Sequence, residues 1–390
     1  MIVTPPERSW PRWNRGTLRD HEVGLPPSTI EMANEMSMSD VTAPLLEPVI
    51  DPAGAATAAV PRLAQHSFTL ADGHRVGLTV SGWGVPLVVV HGFTAEGFLY
   101  AQTLQRLVAK GFKVVAVDMA GHGGTQGLPL SGGHLGDYAH LMGRVIEELG
   151  IRKAIIAGHS MGGRVAAQLA AQQPDRTVAA LLIDAIVGDQ WDLMVNVFRF
   201  NPFLLAPMGA AVALDAVSTI PLLHDPRQAM KLAKLLAPTL ARHATRPWRL
   251  VGPAASILRT KGSRGILDAL ALEEVPTFVL HGDRDLIVPF ATAKSAAKRS
   301  NGQLVTIKRG GHSWMLRDPE TLPAIVAELL EGRLGDAIRD TLGAAGAAST
   351  AELESTFYEP DAPILELSAD HSGSQPAEPL SRPSYRWTIT

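Results

Sequence analysis

Ser160 stands in Gly158-His159-Ser160-Met161-Gly162, a match to G-x-S-x-G. A serine hydroxyl is a weak nucleophile and attacks a carbonyl only when a neighbouring base takes its proton. The pentapeptide also has a plainer explanation, a serine that caps a helix over residues 161–173. What separates the two is whether a base and an orienting carboxylate reach the same place. The chain carries several candidates: His91-Gly92-Phe93-Thr94, Asp118-Met119-Ala120-Gly121-His122-Gly123, Asp184, His281-Gly282-Asp283-Arg284-Asp285 and Gly310-Gly311-His312. A serine, a histidine and an aspartate held in line perform acyl transfer. The histidine moves the proton, and the carboxylate orients and stabilises the imidazolium.

The elements that must position these residues follow from the apolar pattern. HSFTLADGHRVGLTVSG alternates and turns at Asp72-Gly73, which predicts a hairpin. Pro86 to Gly92 is a short continuous apolar run ending in glycine, the pattern of a strand buried on both faces. Phe112–Asp118, Lys153–Gly158, Val178–Asp184, Val275–Gly282 and Gln303–Lys308 read as further strands. Helical spacing covers 97–110, Leu135 to Leu149, 161–173 with Pro174 as its stop, 290–299 and 319–332. Strands alternating with helices predict an α/β fold with a mostly parallel sheet and helices on both faces. Ligands of such sheets bind beyond the strands' carboxyl ends. Each polar motif named above follows a strand.

Four motifs occur in order: H-G-F at 91–93, D-x-x-G-H-G at 118–123, G-H-S-M-G-G at 158–163, and G-D-R-D-L-I-V-P at 282–289 followed by Gly310-Gly311-His312. Together they resemble the α/β-hydrolase fold family over roughly residues 65–332. The resemblance implies that Ser160 sits on a sharp strand-to-helix turn, with Gly158 and Gly162 giving it room. It implies His312 as base and Asp285 as acid, with Asp184 the rival because some members place the acid there. The backbone N–H groups of Phe93 and Met161 would form the oxyanion hole. Asp283 is expected to shape its loop; His91, His122 and Asp118 are expected to brace theirs. The histidines lack the paired spacing of a zinc helix, so no metal is expected, and the chemistry requires no cofactor.

About ninety residues separate Asp184 from the next strand, where a short loop is usual. The expected organisation is an irregular arm over 1–62, a core over 63–186 and 272–332, a helical cap over 187–271 and an irregular tail over 333–390. The cap is apolar, so Trp191, Phe198 and Phe203, with Phe93 and Trp314, are expected to line a pocket for a mostly apolar small molecule. Arg199, Arg242 and Arg246 could bind an anionic group, but solvated helix faces account for them. Lys+Arg 35 against Asp+Glu 38 gives no general attraction for nucleic acid, and aromatics at 5% offer no stacking platform. The absence of cysteine excludes a thiolate nucleophile and Cys-ligated metals. No apolar stretch is long enough to span a membrane, and the N-terminus lacks the apolar core of a secretory signal, so a cytoplasmic location is expected. The sequence specifies no oligomeric state.

The expected activity is cleavage of a carboxylic ester, thioester or lactone through an acyl-enzyme on Ser160. Carbon–carbon bond hydrolases and cofactor-free perhydrolases share the same triad and stand as alternatives. A ligand-binding, receptor-like protein that keeps the fold is the alternative of another class. Dehalogenases and epoxide hydrolases carry aspartate at the elbow, which Ser160 argues against. A dinucleotide-binding protein would need G-x-G-x-x-G after its first strand, which is absent here.

Overall fold

Leu87 through Val90 point alternately to opposite sides of their strand, yet all four are buried, so both faces must be covered. The computed structural model describes residues 59–390 except 62, 94, 96, 130–132, 219–225, 348–349, 368–373 and 377–381. In it the strands are β1 (Ala59–Pro61), β2 (Ala64–Thr69), β3 (Arg75–Ser81), β4 (Val85–Val90), β5 (Phe112–Val117), β6 (Ala154–His159), β7 (Thr177–Ile183), β8 (Thr277–Gly282), β9 (Gln303–Ile307), β10 (Ser374–Pro376) and β11 (Trp387–Ile389). The main sheet has the order β11-β9-β8-β7-β6-β4-β5-β3-β2. Neighbours from β5 to β9 pair in parallel. The flanking strands β2, β3 and β11 join antiparallel. The hairpin turns where expected, with Gly73 at φ 84°. A separate two-stranded pairing joins β1 to β10.

Helices α1 (Ala101–Val108), α2 (Leu135–Glu148) and α3 (Met161–Gln172) follow β4, β5 and β6 in turn. The order of β4 among its neighbours brings its carboxyl end beside that of β6, so the loop after His91 meets the turn at Ser160. Between β7 and β8 the insertion is helical: α4 (Asp189–Phe200), α5 (Leu205–Ser218), α6 (Pro226–Thr245), α7 (Val251–Arg259) and α8 (Arg264–Leu272). Leu267 and Leu270 of α8 are wholly buried in the main core, so the last helix of the insertion packs with the sheet domain. Then come α9 (Phe290–Arg299), α10 (Trp314–Arg317) and α11 (Thr321–Leu330).

The ends differ from expectation. Most of the irregular arm expected over 1–62 lies outside the described residues, and its described part, 59–61, is strand β1. The segment from 333 onward is not an irregular tail. It forms α12 (Arg333–Ala344), α13 (Thr350–Phe357) and α14 (Pro363–Glu366) and ends in β11 at the sheet edge. An Ala/Gly-rich composition hid the reason, which is a stripe of Leu334, Ile338 and Leu342 at helical spacing, all buried. Phe357 and Tyr358 are buried as well, and the Tyr358 hydroxyl donates to the Gly84 carbonyl at 2.6 Å. Among the described residues no helix is long and apolar enough to cross a membrane.

Candidate active site

Ser160 alone joins β6 to α3, and it does so at φ 54°, ψ −117°, where side chains other than hydrogen rarely sit. Glycine neighbours make the turn possible. A Cβ on Gly158 would meet the Gly162 carbonyl at 2.2 Å, and one on Gly162 would meet the Val90 carbonyl oxygen at 2.2 Å. The Ser160 amide donates to the Ile183 carbonyl at 2.9 Å, tying the turn to the next strand. Its side chain makes no capping bond to α3. The capping explanation therefore does not account for a serine here.

Asp285 and His312 meet across two loops. Asp285 Oδ2 lies 2.7 Å from His312 Nδ1. Asp285 Oδ1 accepts the Ile287 and Val288 amides, both at 2.8 Å, so the carboxylate cannot rotate away without losing two bonds. Burial works to lower the His312 pKa, but the Asp285 charge and hydrogen bond outweigh it and hold it up at about 9. Burial likewise works to raise the Asp285 pKa, and the His312 charge and hydrogen bond pull it below the usual carboxylate value. With Nδ1–H directed at the carboxylate, Nε2 is the nitrogen left to take a proton.

The main chain of His312 is held from two sides. His159 Nε2 donates to the His312 carbonyl at 3.0 Å, and the two rings lie 4.8 Å apart. That leaves His159 Nδ1 to accept the Tyr100 hydroxyl at 2.9 Å. Burial, together with the charge of His312, pushes the His159 pKa down to about 3, so its ring stays neutral. On the other side the His312 amide donates to Asp215 Oδ1 at 2.9 Å, a carboxylate on cap helix α5. Sequence reasoning passed over His159, Tyr100 and Asp215. For His159 the signal was available in its place next to Ser160, while Tyr100 and Asp215 belong to no motif.

Asp184, the rival acid, faces elsewhere. It is fully buried, with Oδ1 accepting the Gly282 amide at 2.9 Å and Oδ2 accepting the Trp314 indole N–H at 2.6 Å. Burial, reinforced by the charge of Asp285, pushes its pKa well up. His281 sits between the two acids, its Nε2 donating to the Val288 carbonyl at 2.9 Å. Asp184, His281 and Asp285 offer ligand atoms within 4.8 Å of one another. Their oxygens, however, are committed to Gly282, Trp314, Ile287, Val288 and His312, a hydrogen-bonded lattice instead of an open coordination sphere.

The loop after β4 runs close to the serine. A Cβ on Gly92 would lie 3.3 Å from Ser160 Cβ, so the loop residue before Phe93 packs against Ser160, which Met161 follows in the chain. The loop is braced as expected. His91 Nε2 accepts the Met119 amide at 2.9 Å and its Nδ1 donates to the Gly92 carbonyl at 2.8 Å. Asp118 accepts the Gly97 and Gly124 amides, both at 2.9 Å, and Asp283 accepts the Arg309 amide at 2.6 Å.

The five expected pocket residues part company. Phe93 is half-buried against His122, Trp191 is buried at the base of α4, and Phe198 is half-buried. Trp314 is buried with its N–H given to Asp184. Phe203 does not fit a pocket lining, because it is 87% exposed in a short turn at 202–204. The cap's apolar composition is displayed partly toward solvent. Polar ties hold it down: Arg249 donates to the Thr125 carbonyl at 3.0 Å, and Arg164 to the Lys261 carbonyl at 2.9 Å. Arg199 donates to the carbonyls of Leu258 and Thr260, which keeps it within the cap.

The chain is similar to a putative non-heme haloperoxidase of Mycobacterium phage D29, 36% identical over 269 residues, covering 68% of this chain and 94% of that protein. It is 30% identical to a non-heme chloroperoxidase of Burkholderia pyrrocinia over 61% of this chain and 89% of that one. Among solved structures, a 2-hydroxy-6-oxo-6-phenylhexa-2,4-dienoate hydrolase from Rhodococcus sp. strain RHA1 superposes with a TM-score of 0.54 at 19% identity, over 70% of this chain and all of that one, a likeness of fold. The sequence profile of the alpha/beta hydrolase family matches residues 87–324. That match runs from the first parallel strand to the helix behind the His312 loop and takes in the elbow, both acids and the histidine, so the chain belongs to the alpha/beta hydrolase family.

Proposed function

We propose that the protein is a serine hydrolase that cleaves a carboxylic ester of a mostly apolar small molecule. The observation that carries this reading is the Asp285–His312 pair at 2.7 Å, with His312 tied through His159 to the turn that bears Ser160. In the first half-reaction His312 Nε2 takes the Ser160 proton as Oγ adds to the carbonyl. The oxyanion forms against the Phe93 and Met161 amides, which are fixed before the substrate arrives. His312 then gives its proton to the departing alkoxide, leaving an acyl-serine. Water attacks the acyl carbon with His312 again as base, releasing the acid and restoring Ser160. Asp285 keeps Nε2 directed at the serine and stabilises the imidazolium throughout.

A panel of 4-nitrophenyl esters graded by acyl length, run beside a fluorophosphonate probe, tests this. Turnover and labelling are expected in the wild type, and neither in Ser160→Ala. An unlabelled Ser160 with biological activity retained in Ser160→Ala would sink the enzyme reading in favour of a binding protein.

The 36% identical relative supports a second reading in which hydrogen peroxide, in place of water, attacks the acyl-serine and releases a peracid. The elbow, base and acid are the same. Peracid formed from an ester and peroxide, abolished by Ser160→Ala, is the expected result. Ester hydrolysis that proceeds with no peracid at millimolar peroxide rules this second reading out.

A further inference from the structure

A cavity of ≈ 400 Å³ opens beside the catalytic histidine loop, and neither Ser160 nor His312 lines it. Its walls carry three guanidiniums, Arg284, Arg309 and Arg317, with Leu286, Trp314 and Tyr385 between them. We propose that this cavity is a binding site for an organic anion, a carboxylate or phosphate borne on an apolar or aromatic body. The proposal goes beyond the hydrolase reading, since it assigns a second site that the triad does not use.

Arginines on a solvated helix face spread their charges. These three come from three separate stretches: the turn after β8, the turn after β9, and α10. Their backbones are locked before any ligand binds. The Arg284 amide donates to the Gly310 carbonyl at 2.9 Å and the Arg309 amide to Asp283 Oδ1 at 2.6 Å, which ties the two turns together. Arg309 is held at φ 61°, a left-handed conformation that side-chain-bearing residues adopt at a cost. Among the described residues no carboxylate pairs with the side chains of Arg284 or Arg309. One carboxylate, Asp215, stands on the wall against the three guanidiniums and accepts the His312 amide. The surplus is cationic, and planar guanidiniums match carboxylate and phosphate oxygens in pairs.

The rest of the wall selects for more than an inorganic ion. Leu286 is 69% exposed, a large apolar side chain that a ligand body would cover. Tyr385, half-buried, presents an aromatic ring to the cavity and is backed edge to face by the buried Trp314, the rings 6.3 Å apart. The volume fits a small-molecule ligand. Tyr385 is brought in by the C-terminal strand, and the Ser384 amide bonds Asp318 Oδ2 at 2.6 Å. Gly311 lines the cavity one residue before His312. An occupant therefore sits against the loop that carries the base, and it comes either from the charged end of the substrate itself or from a separate effector.

Calorimetry of the intact protein with phenyl phosphate tests the site without turnover, so it reads this proposal independently of Ser160 chemistry. Saturable one-to-one binding is expected, weakened about tenfold or more in Arg284→Gln/Arg309→Gln and further by salt, with no saturable heat from phenol. Fluorophosphonate labelling of Ser160 in the variant checks that the fold is intact. Equal binding by variant and wild type, or no saturable binding, overturns the proposal. Kinetics then separate the sources. If the anion belongs to the substrate, the double variant raises KM for 4-nitrophenyl hydrogen succinate about tenfold and leaves 4-nitrophenyl butyrate unchanged. If it belongs to an effector, phenyl phosphate changes hydrolysis of the butyrate ester in the wild type and not in the variant. Absence of both patterns in an enzyme that turns over the butyrate ester overturns any link between the site and catalysis, while the binding itself stands or falls on the calorimetry.

Discussion

The strand-end loops and the cap are built by opposite means. At the strand ends, polar side chains are buried and three of them are bonded more than once. Asp285 holds His312 and two amides, Asp184 holds an amide and an indole, and His159 joins a tyrosine to a carbonyl. Removing one partner leaves another polar group buried and unpaired, so these positions tolerate little. The cap turns large apolar groups outward, with Phe200 91% and Trp248 65% exposed, and is fastened by a few polar ties. In the proposed reading the densely bonded strand-end loops carry the bond chemistry, and the loosely packed cap borders the substrate. The two should therefore respond to mutation on different scales.

The largest effect is expected at Ser160. Ser160→Ala should cut kcat/KM by roughly 10⁴-fold or more while leaving the thermal midpoint nearly unchanged, measured by ester hydrolysis and calorimetry. A residual rate within tenfold of wild type would move the nucleophile elsewhere. The acids come next. Asp285→Asn should cost about 10³–10⁴-fold in kcat, because the imidazole loses both its orientation and its charge partner. Asp184→Asn should cost less activity than Asp285→Asn but lower the thermal midpoint, because Asp184 makes no bond to His312 while its new NH2 group would face either the Gly282 amide or the Trp314 indole N–H, both donors. An Asp184→Asn enzyme that stays folded and loses more activity than Asp285→Asn would reverse the assignment.

The pH profile probes the same pair. His312 must be neutral to act as base, so kcat/KM should rise with pH through about 9, and Asp285→Asn should shift the midpoint downward. A folded-state pKa raised from 6.5 to about 9 also contributes stability that is full below 6.5 and lost as pH climbs through about 9. The urea midpoint should fall across that window in the wild type and fall less in Asp285→Asn. A flat midpoint would mean that His312 and Asp285 are not paired in solution.

His159 lies between the two regions in expected effect. His159→Phe keeps the ring and loses the bond to the His312 carbonyl, so kcat should drop about tenfold with KM little changed. A change confined to KM would make His159 a substrate contact instead of a positioning residue.

This ordering follows what the sequence made legible. Every strand from Val85 to Ile307 shows as a mainly apolar run, because a parallel strand buried on both faces has few polar positions to blur it, Lys113 and Thr306 among them. Ser160, Asp285 and His312 each follow such a run, so the strand-end placement that pairs Asp285 with His312 was readable in advance. Asp215 and Tyr100 were not, because a hydrogen bond across 97 or 59 residues leaves no periodic trace. The C-terminal helices were missed because three buried residues in an Ala/Gly-rich segment count for little in composition. Phe203 misled for the converse reason: its residue type predicts burial, and burial is decided by what lies opposite.

Phe203→Ala accordingly marks the small end of the scale. At 87% exposure the ring has little to lose, and surface substitutions of this kind usually change stability by under about 0.5 kcal/mol. kcat/KM should stay within about twofold across the ester panel, for short and long acyl chains alike. The acyl-length dependence makes the measurement discriminating. A loss confined to long-chain esters would mean that the turn at 202–204 folds over the bound chain during catalysis. The cap would then move between an open and a closed arrangement, its exposed phenylalanines would be substrate contacts in the closed one, and the contrast between a rigid core and a loosely packed cap would hold only while the site is empty.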